Sequence, residues 1–411
     1  MARKRNSTRK QSATLVLFVL CLLPGAGWTQ TESVLYNFCA QTNCADGAVP
    51  YAGVIFDQKG NLYGTADVVF KLTPKGREKA LYTFCSLNNC ADGYEPNAVV
   101  LDNKGNLYGT TEAGGAYDFN GGTVFKLTPK GKETVLHSFC AQNNCTDGAL
   151  PYAGVIFDQK GNLYGTTFDG GAYGDGVVFK LTPAGKETVL YSFCAQSDCS
   201  DGASPIAGLV FDRKGNLYGT TFGGGAYGEG VVFEVTSKGN ERVLYSFCTQ
   251  NYCTDGKQPG AGLVLDGKGN LYGTTPSGGA YGNGTVFKLT PAGLETVLYS
   301  FCAQSHCSDG GQPFAGVIFD HKGNLYGTTF SGGTGRTDGG GGTVFKLTSK
   351  GKEKVLYPFC EQTNCPDGAD PDAGLVFDQK GNLYGTTEYG GSNNNQACRY
   401  LGCGVVFKLT P

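Results

Sequence analysis

"SVLYNF", residues 33–38, is the stretch whose reading decides the fold. It is the first of seven near-copies of one strand motif, the others ending at Phe84, Phe139, Phe193, Phe247, Phe301 and Phe359. A second motif, "AGVIFD" in its commonest form, also occurs seven times, beginning at Ala52, Ala98, Ala153, Ala207, Ala261, Ala315 and Ala373. "SVLYNF" precedes all of these, and the chain stops at Pro411 after only three strands of its last unit. An open array has no use for this offset. A ring closes with it, the N-terminal strand completing the last blade and hiding edge strands that would otherwise invite aggregation.

The unit between these ends repeats at propeller spacing. Successive C-x4-C pairs begin 46, 55, 54, 54, 54 and 58 residues apart, a period of solenoids and propellers. In the unit 151–193, "AGVIFD" (153–158), "NLYGTT" (162–167), "GVVFKLT" (176–182) and "ETVLYSF" (187–193) read as four strands, short, β-branched and aromatic. No stretch has the period of an amphipathic helix. The links "DQKGN" and "TPAGK" place Gly and Pro where tight hairpins need them, so the strands form an antiparallel meander. The first strands are apolar without alternation, as expected of strands buried on both faces. The expected architecture is therefore all-β: a seven-bladed β-propeller of four-stranded antiparallel blades, one domain over residues 28–411.

The chain has 411 residues, 40% of them hydrophobic and 17% charged, with 66 glycines. Its near-neutral charge of −2, with no basic stripe beyond the extreme N-terminus, argues against nucleic acid as a partner. Residues 1–27 read as a secretory signal peptide: basic "MARKRNSTRK", apolar "ATLVLFVLCLL", then the small residues "PGAG". Removing its five basic residues from the 33 leaves 28 against 35 acidic ones, and the mature protein is expected to be secreted or periplasmic, monomeric and free of the membrane. Cysteine usage agrees. Cys39/Cys44, Cys85/Cys90, Cys140/Cys145, Cys194/Cys199, Cys248/Cys253, Cys302/Cys307, Cys360/Cys365 and Cys398/Cys403 all share one spacing, and local disulfides are the expected reading. Each is expected to hold the shape of its own loop. Metal binding would need two pairs to meet.

The recurring "NLYGTT…GG…G-x-VFKLT" stretch resembles the GloVer tandem-repeat family across about residues 33–411. The strand order is also similar to NHL-type propellers, an architectural likeness only. The resemblance implies a secreted protein and supplies no catalytic residue. Members often carry a C-terminal anchor; this sequence ends at "VFKLTP", and none is expected. The first copy, "NLYGTADVVFKLT", lacks the Gly-rich insert.

Alternating strand direction sorts the loops, putting the long cysteine and "GGAYG" loops on one face and the minimal hairpins on the other. Long loops carry function. The motif "C-x-D-G-x-x-P-x-A-G" fixes its Cys, Asp, first Gly, Pro and Ala in all seven copies while the residues flanking its Pro vary: Tyr51, Asn97, Tyr152, Ile206, Phe314 and Asp372 after it, Glu95, Gln258, Gln312 and Asp370 before it. These positions enter the innermost strand, so they are the candidate binding residues of the channel mouth. Asp370, Asp372, Glu95 and Asn97 fall on neighbouring blades, and oxygen ligands of this kind suit Ca²⁺, the one cofactor the sequence suggests. Solvated loop carboxylates are the plainer reading. The repeated Asp46, Asp92, Asp147, Asp201, Asp255, Asp309 and Asp367 read as Asx turns before Gly. Tyr117, Tyr173, Tyr227 and Tyr281 on the Gly-rich loops either form a platform for sugar rings or tuck against the next blade. His137, His306 and His321 show no partner, and no nucleophile motif stands out.

Catalytic residues are accordingly none. The sequence points to a disulfide-stiffened scaffold binding an extracellular glycan or protein through its long-loop face. The alternatives are a Ca²⁺-dependent hydrolase or lyase at the channel mouth and a purely structural envelope component.

Overall fold

The computed structural model describes residues 30–335, 341–393, 396–398 and 401–410. The signal peptide expected over 1–27, and parts of the blade-six and blade-seven inserts, lie outside them. Seven antiparallel sheets form seven blades, and the strand Thr31–Asn37 pairs with Val405–Thr410 of the last. Closure is also made by side chains: Thr386 Oγ1 donates to the carbonyl of Ala52, 334 residues away, at 3.1 Å. The equivalent Thr166 and Thr274 bond the next blades' Ala207 and Ala315.

The interface between blades is a repeated pair of phenylalanines. The one ending each fourth strand packs against the one in the next blade's third strand, Phe139 on Phe179 and Phe38 on Phe70 both at 5.1 Å. All seven boundaries carry the pair, six edge-on and Phe84 on Phe125 tilted, and each stabilises by about 0.5–1.5 kcal/mol beyond its area. The motif "NLYGT" needs its glycine for this reason. A Cβ at Gly165 would lie 2.7 Å from Phe179 Cζ, and that ring is already held by Phe139. We expect Gly165→Ala to destabilise by roughly 1–3 kcal/mol, while Gly208→Ala, with open space around it, stays near neutral. Thermal melts of the two variants check this.

Two expectations need correction. The first strands are only two residues long, Ile156–Phe157 rather than 153–158, and those two residues are half-buried, not buried on both faces. Deepest burial falls on second and third strands such as Val177–Leu181. The reason lies at the hub, where neighbouring first strands meet backbone to backbone: a Cβ on Gly154 would come 2.5 Å from the Ala98 carbonyl oxygen. The segment leaves the sheet ladder early to line the axis. The fourth strand of that blade, Glu187–Ser192, ends one residue before the expected boundary. Blade two also gains a short strand, Tyr94–Pro96, paired with Leu107–Ala113.

Candidate functional site

The long-loop face is built on rigid cysteine loops. All eight expected disulfides are present: Cys39–Cys44, Cys85–Cys90, Cys140–Cys145, Cys194–Cys199, Cys248–Cys253, Cys302–Cys307, Cys360–Cys365 and Cys398–Cys403. Two of them do meet: the Cys39 sulfur lies near those of Cys398 and Cys403, but all three are spent in disulfides and offer a metal no thiolate. Each cysteine in the seven blade loops has a positive φ, as does the residue before the second one, for example Cys194, Asp198 and Cys199 at 62°, 55° and 51°. Such backbone costs free energy in non-glycine residues, and a buried aspartate offsets it. Asp201 Oδ2 accepts from the Tyr191 hydroxyl at 2.7 Å and the Ala195 N–H at 2.9 Å, and its Oδ1 from the Gln196 N–H at 3.1 Å. Asp46, Asp92, Asp255 and Asp309 do the same. These aspartates are therefore loop anchors reaching back five and six residues, not the Asx turns expected. His137, in the tyrosine's place, sits 3.3 Å from Asp147 Oδ2. Burial pushes Asp147 up, but His137 and the N–H groups of Ala141 and Gln142 hold it below the usual carboxylate range.

The second cysteine of each pair does more than the expected stapling of its own loop. Its carbonyl accepts from the glycine that follows the anchor aspartate: Cys44 from Gly47, Cys90 from Gly93, Cys253 from Gly256, Cys307 from Gly310 and Cys365 from Gly368, all between 2.8 and 3.0 Å. The same carbonyl then takes a second N–H from the Gly-rich insert. Gly115 donates to Cys90, Gly279 to Cys253, Gly333 to Cys307 and Gly391 to Cys365, at 2.8 or 2.9 Å. Cys145 and Cys199 hold Gly171 and Gly225 alike. Cys44 takes no second glycine among the described residues, because blade one lacks the insert. One left-handed residue thus ties two loops together. Cys44, Cys90, Cys253, Cys307 and Cys365 are supports of the face and do not line the channel mouth.

The channel mouth is positioned by the residue before each repeated Pro. Val49, Glu95, Leu150, Ser204, Gln258, Gln312 and Asp370 are all left-handed, with φ between 51° and 57°. Their backbone is spent on the blade boundary: Gln258 and Gln312 donate N–H to the carbonyls of Glu229 and Asn283, both at 2.8 Å. The residue after each Pro is thereby turned toward the axis. Tyr51, Asn97, Tyr152, Ile206, Gly260, Phe314 and Asp372 all line a cavity of about 420 Å³. Of the positions before Pro, Val49 and Glu95 join them, whereas Gln258, Gln312 and Asp370 do not line the cavity.

The expected quartet is thus only partly assembled. Asp372, Glu95 and Asn97 reach the mouth, and the Asn97 amide donates to the Pro151 carbonyl at 2.8 Å. Asp370 instead lies beside Glu388; burial first, then that carboxylate, pushes it up to about 6. No three carboxylate oxygens at the mouth converge within 4.8 Å among the described residues.

Two further acids escape the sequence reading. Asp67 and Glu112 line the same cavity. Both occupy one motif position two residues past "NLYGT", beyond the strand end for Asp67 and within Leu107–Ala113 for Glu112, and around the ring it reads Asp67, Glu112, Phe168, Phe222, Pro276, Phe330 and Glu388. Asp67 is reached by solvent from the cavity yet surrounded by protein. Burial, then the neighbouring Glu95, pushes it up to about 6. Burial, then Glu388 and Asp370, pushes Asp372 up to about 7, and Glu112 is raised by burial and Glu95. Taking the three variable positions together, blades seven, one and two carry six acids at nine positions. Blades three to six carry no charge at twelve. The mouth has an acidic half and an apolar half.

Farther out on this face, Tyr117, Tyr173, Tyr227 and Tyr281 are exposed at 64%, 56%, 56% and 54%. They do not tuck away. Their loops are pinned beneath them: Gly171 N–H donates to the Cys145 carbonyl at 2.9 Å and Ala172 N–H to Ser192 Oγ at 3.2 Å. Cys398 and Cys403 are buried in the core beside Phe38, so the extra disulfide fastens the blade-seven loop at the ring closure.

Fold and site together define a disulfide-stapled, seven-bladed repeat propeller with its variable residues gathered on one face. The chain belongs to the Gloeobacter/Verrucomicrobia repeat family, which it matches over residues 24–209 and 195–399. No curated protein matches it. Similar solved structures include a candidate 6-phosphogluconolactonase from Bacteroides uniformis, at 14% identity over 86% of this chain and 96% of that one, with a TM-score of 0.47. A luciferin-regenerating enzyme is similar at 13% identity over 93% and 95%, with a TM-score of 0.41. A puromycin hydrolase mutant matches at 12% identity over 82% and 50%, with a TM-score of 0.48. Likeness at this level carries no activity across. No helix among the described residues is long and apolar enough to cross a membrane.

Proposed function

We propose that the protein is an extracellular binding module whose long-loop face takes a glycan. The observation that carries this is the row of exposed tyrosines on four consecutive blades, Tyr117, Tyr173, Tyr227 and Tyr281. A tyrosine offers a sugar an apolar face and a polar tip. Equivalent rings repeated blade by blade suit a polymer that presents equivalent units in turn. The pinned loops reduce the ordering cost of binding. Secretion is part of the proposal, supported by eight disulfides in one chain.

A glycan array tests it, run with Ca²⁺ and with EDTA. Binding is expected in both conditions, and Tyr173→Ala with Tyr227→Ala together is expected to weaken it by about tenfold or more, since each lost aromatic contact is worth roughly 1 kcal/mol. Glycan binding that survives the double variant unchanged rules out the platform, and no binding on the array points to a protein partner.

A further inference from the structure

The two-sided mouth calls for a ligand of its own, separate from the tyrosine platform. We propose that the channel mouth binds a small amphiphilic organic cation, its ammonium group on the acidic half and its apolar body against blades three to six. Three independent observations meet there.

The first is charge. Asp67, Glu95, Glu112 and Asp372 line the cavity, and no Lys, Arg or His does. The ion pairs of the described residues, at His137, Arg242 and Lys257, use none of these four. Their charged neighbours are like charges, not counter-ions: Glu95 acts on Asp67 and Glu112, while Glu388 and Asp370 act on Asp372. Tyr152 faces Glu112 and relieves it in part.

The second is Asp372 itself, which is walled in on nearly every side. Its Oδ1 is cut off from solvent and has no hydrogen-bond donor. An uncompensated buried carboxylate is costly, and a positive charge brought into the cavity that Asp372 lines would compensate it. The third is the opposite wall, where Ile206, Phe222, Pro276 and Phe314 face the cavity without a charge. A bare divalent ion would have no use for that wall, and the acids do not converge tightly enough to cage one. An ammonium carried on an apolar frame uses both halves.

Titration calorimetry with tryptamine tests this, with tryptophol, the alcohol in place of the amine, as the neutral control. Tryptamine is expected to bind at least about tenfold tighter, the difference expected of a charge-assisted hydrogen bond. Its affinity should rise from pH 5 to pH 8 as Asp67 and Asp372 lose their protons while the amine keeps its own. Asp372→Asn and, separately, Glu95→Gln with Glu112→Gln should each remove most of the gain, so a folding failure in one leaves the other informative. Equal binding of amine and alcohol overturns the proposal. So does no binding of tryptamine, or binding of Ca²⁺ in its place that Asp372→Asn abolishes. None of these outcomes touches the glycan array result.

Discussion

Raising the pH from 5 to 8 will lower the melting temperature of this protein by about 4 °C. The cause is a ring of seven glutamates, Glu32, Glu78, Glu133, Glu187, Glu241, Glu295 and Glu353, one in each fourth strand. In every one, Oε1 is buried without a hydrogen-bond partner. Burial pushes each up to about 7, and the anchor aspartate of the cysteine loop at the adjoining blade boundary pushes it further, Asp201 for Glu241 and Asp309 for Glu353. At Glu187 the nearby His137 pulls the other way before Asp147 is felt.

The sign follows from linkage. A carboxyl whose folded-state value is raised from 4.5 to about 7 adds stability below 4.5, and that stability is lost as pH rises through 7. The mouth acids Asp67 and Asp372, and Asp370 beside Glu388, act in the same direction. The hairpin aspartates, such as Asp158, oppose it. Burial raises Asp158, but the Asn162 side chain and the N–H groups of Asn162 and Lys160 hold it low, so its contribution is lost only below the usual carboxylate range. The glutamates are only half-buried, and solvent screening cuts each to roughly 0.5 kcal/mol. Seven give about 3–4 kcal/mol, hence the few degrees expected for a protein of this size. Melts at pH 5, 6, 7 and 8 measure it. Glu241→Gln, Glu295→Gln and Glu353→Gln combined should flatten the curve by nearly half. A melting temperature that rises across this range would refute the assignment.

The glutamate ring shows where sequence reading stops. Its residues occur at one motif position in all seven copies, but nothing in "ETVLYSF" says that the Glu faces a carboxylate across a blade boundary. Pairing across blades is a fact of the ring, not of the repeat. The fold was legible because the repeat states it seven times and its ends are offset by one strand. The disulfides were legible from spacing alone, but not the second task of Cys90, Cys253, Cys307 and Cys365, whose carbonyls reach a glycine more than twenty residues on. The mouth was half legible. The variable residue after Pro points into the cavity as expected, from Tyr51 to Asp372. The residue before it varies just as much, but Gln258 and Gln312 do not line the cavity while Val49 and Glu95, with the same left-handed backbone, do. The position just past "NLYGT" carries the clearest signal, acids in three adjacent copies and apolar residues in the other four. It escapes notice because it sits beside an almost invariant strand instead of in a loop.

Deleting residues 30–38 will abolish cooperative unfolding altogether. Thr31–Asn37 is the outer strand of blade seven, paired along its length from Thr31 with Thr410 to Asn37 with Val405. Phe38 behind it is fully buried, stacks edge-on to Phe70 of blade one, and donates its N–H to the Gly404 carbonyl at 3.1 Å. Loss of one such phenylalanine costs about 3–5 kcal/mol, a large share of the roughly 5–15 kcal/mol that holds a typical fold. The deletion also removes Leu35 and Tyr36 from the same core cluster and leaves the edge of Val405–Thr410 bare. Calorimetry of the truncated chain should show no sharp transition. Because Thr31 lies opposite Thr410 in an antiparallel pair, a two-residue turn can join them. A permuted chain that carries residues 31–38 after Thr410 and begins at Cys39 should therefore regain the transition. If the truncated chain melts like the intact one, the ring is held shut by the remaining blades alone, and the N-terminal strand only covers an edge. Recovery in the permuted chain after loss in the truncated one would locate closure in that strand, independent of its place in the sequence.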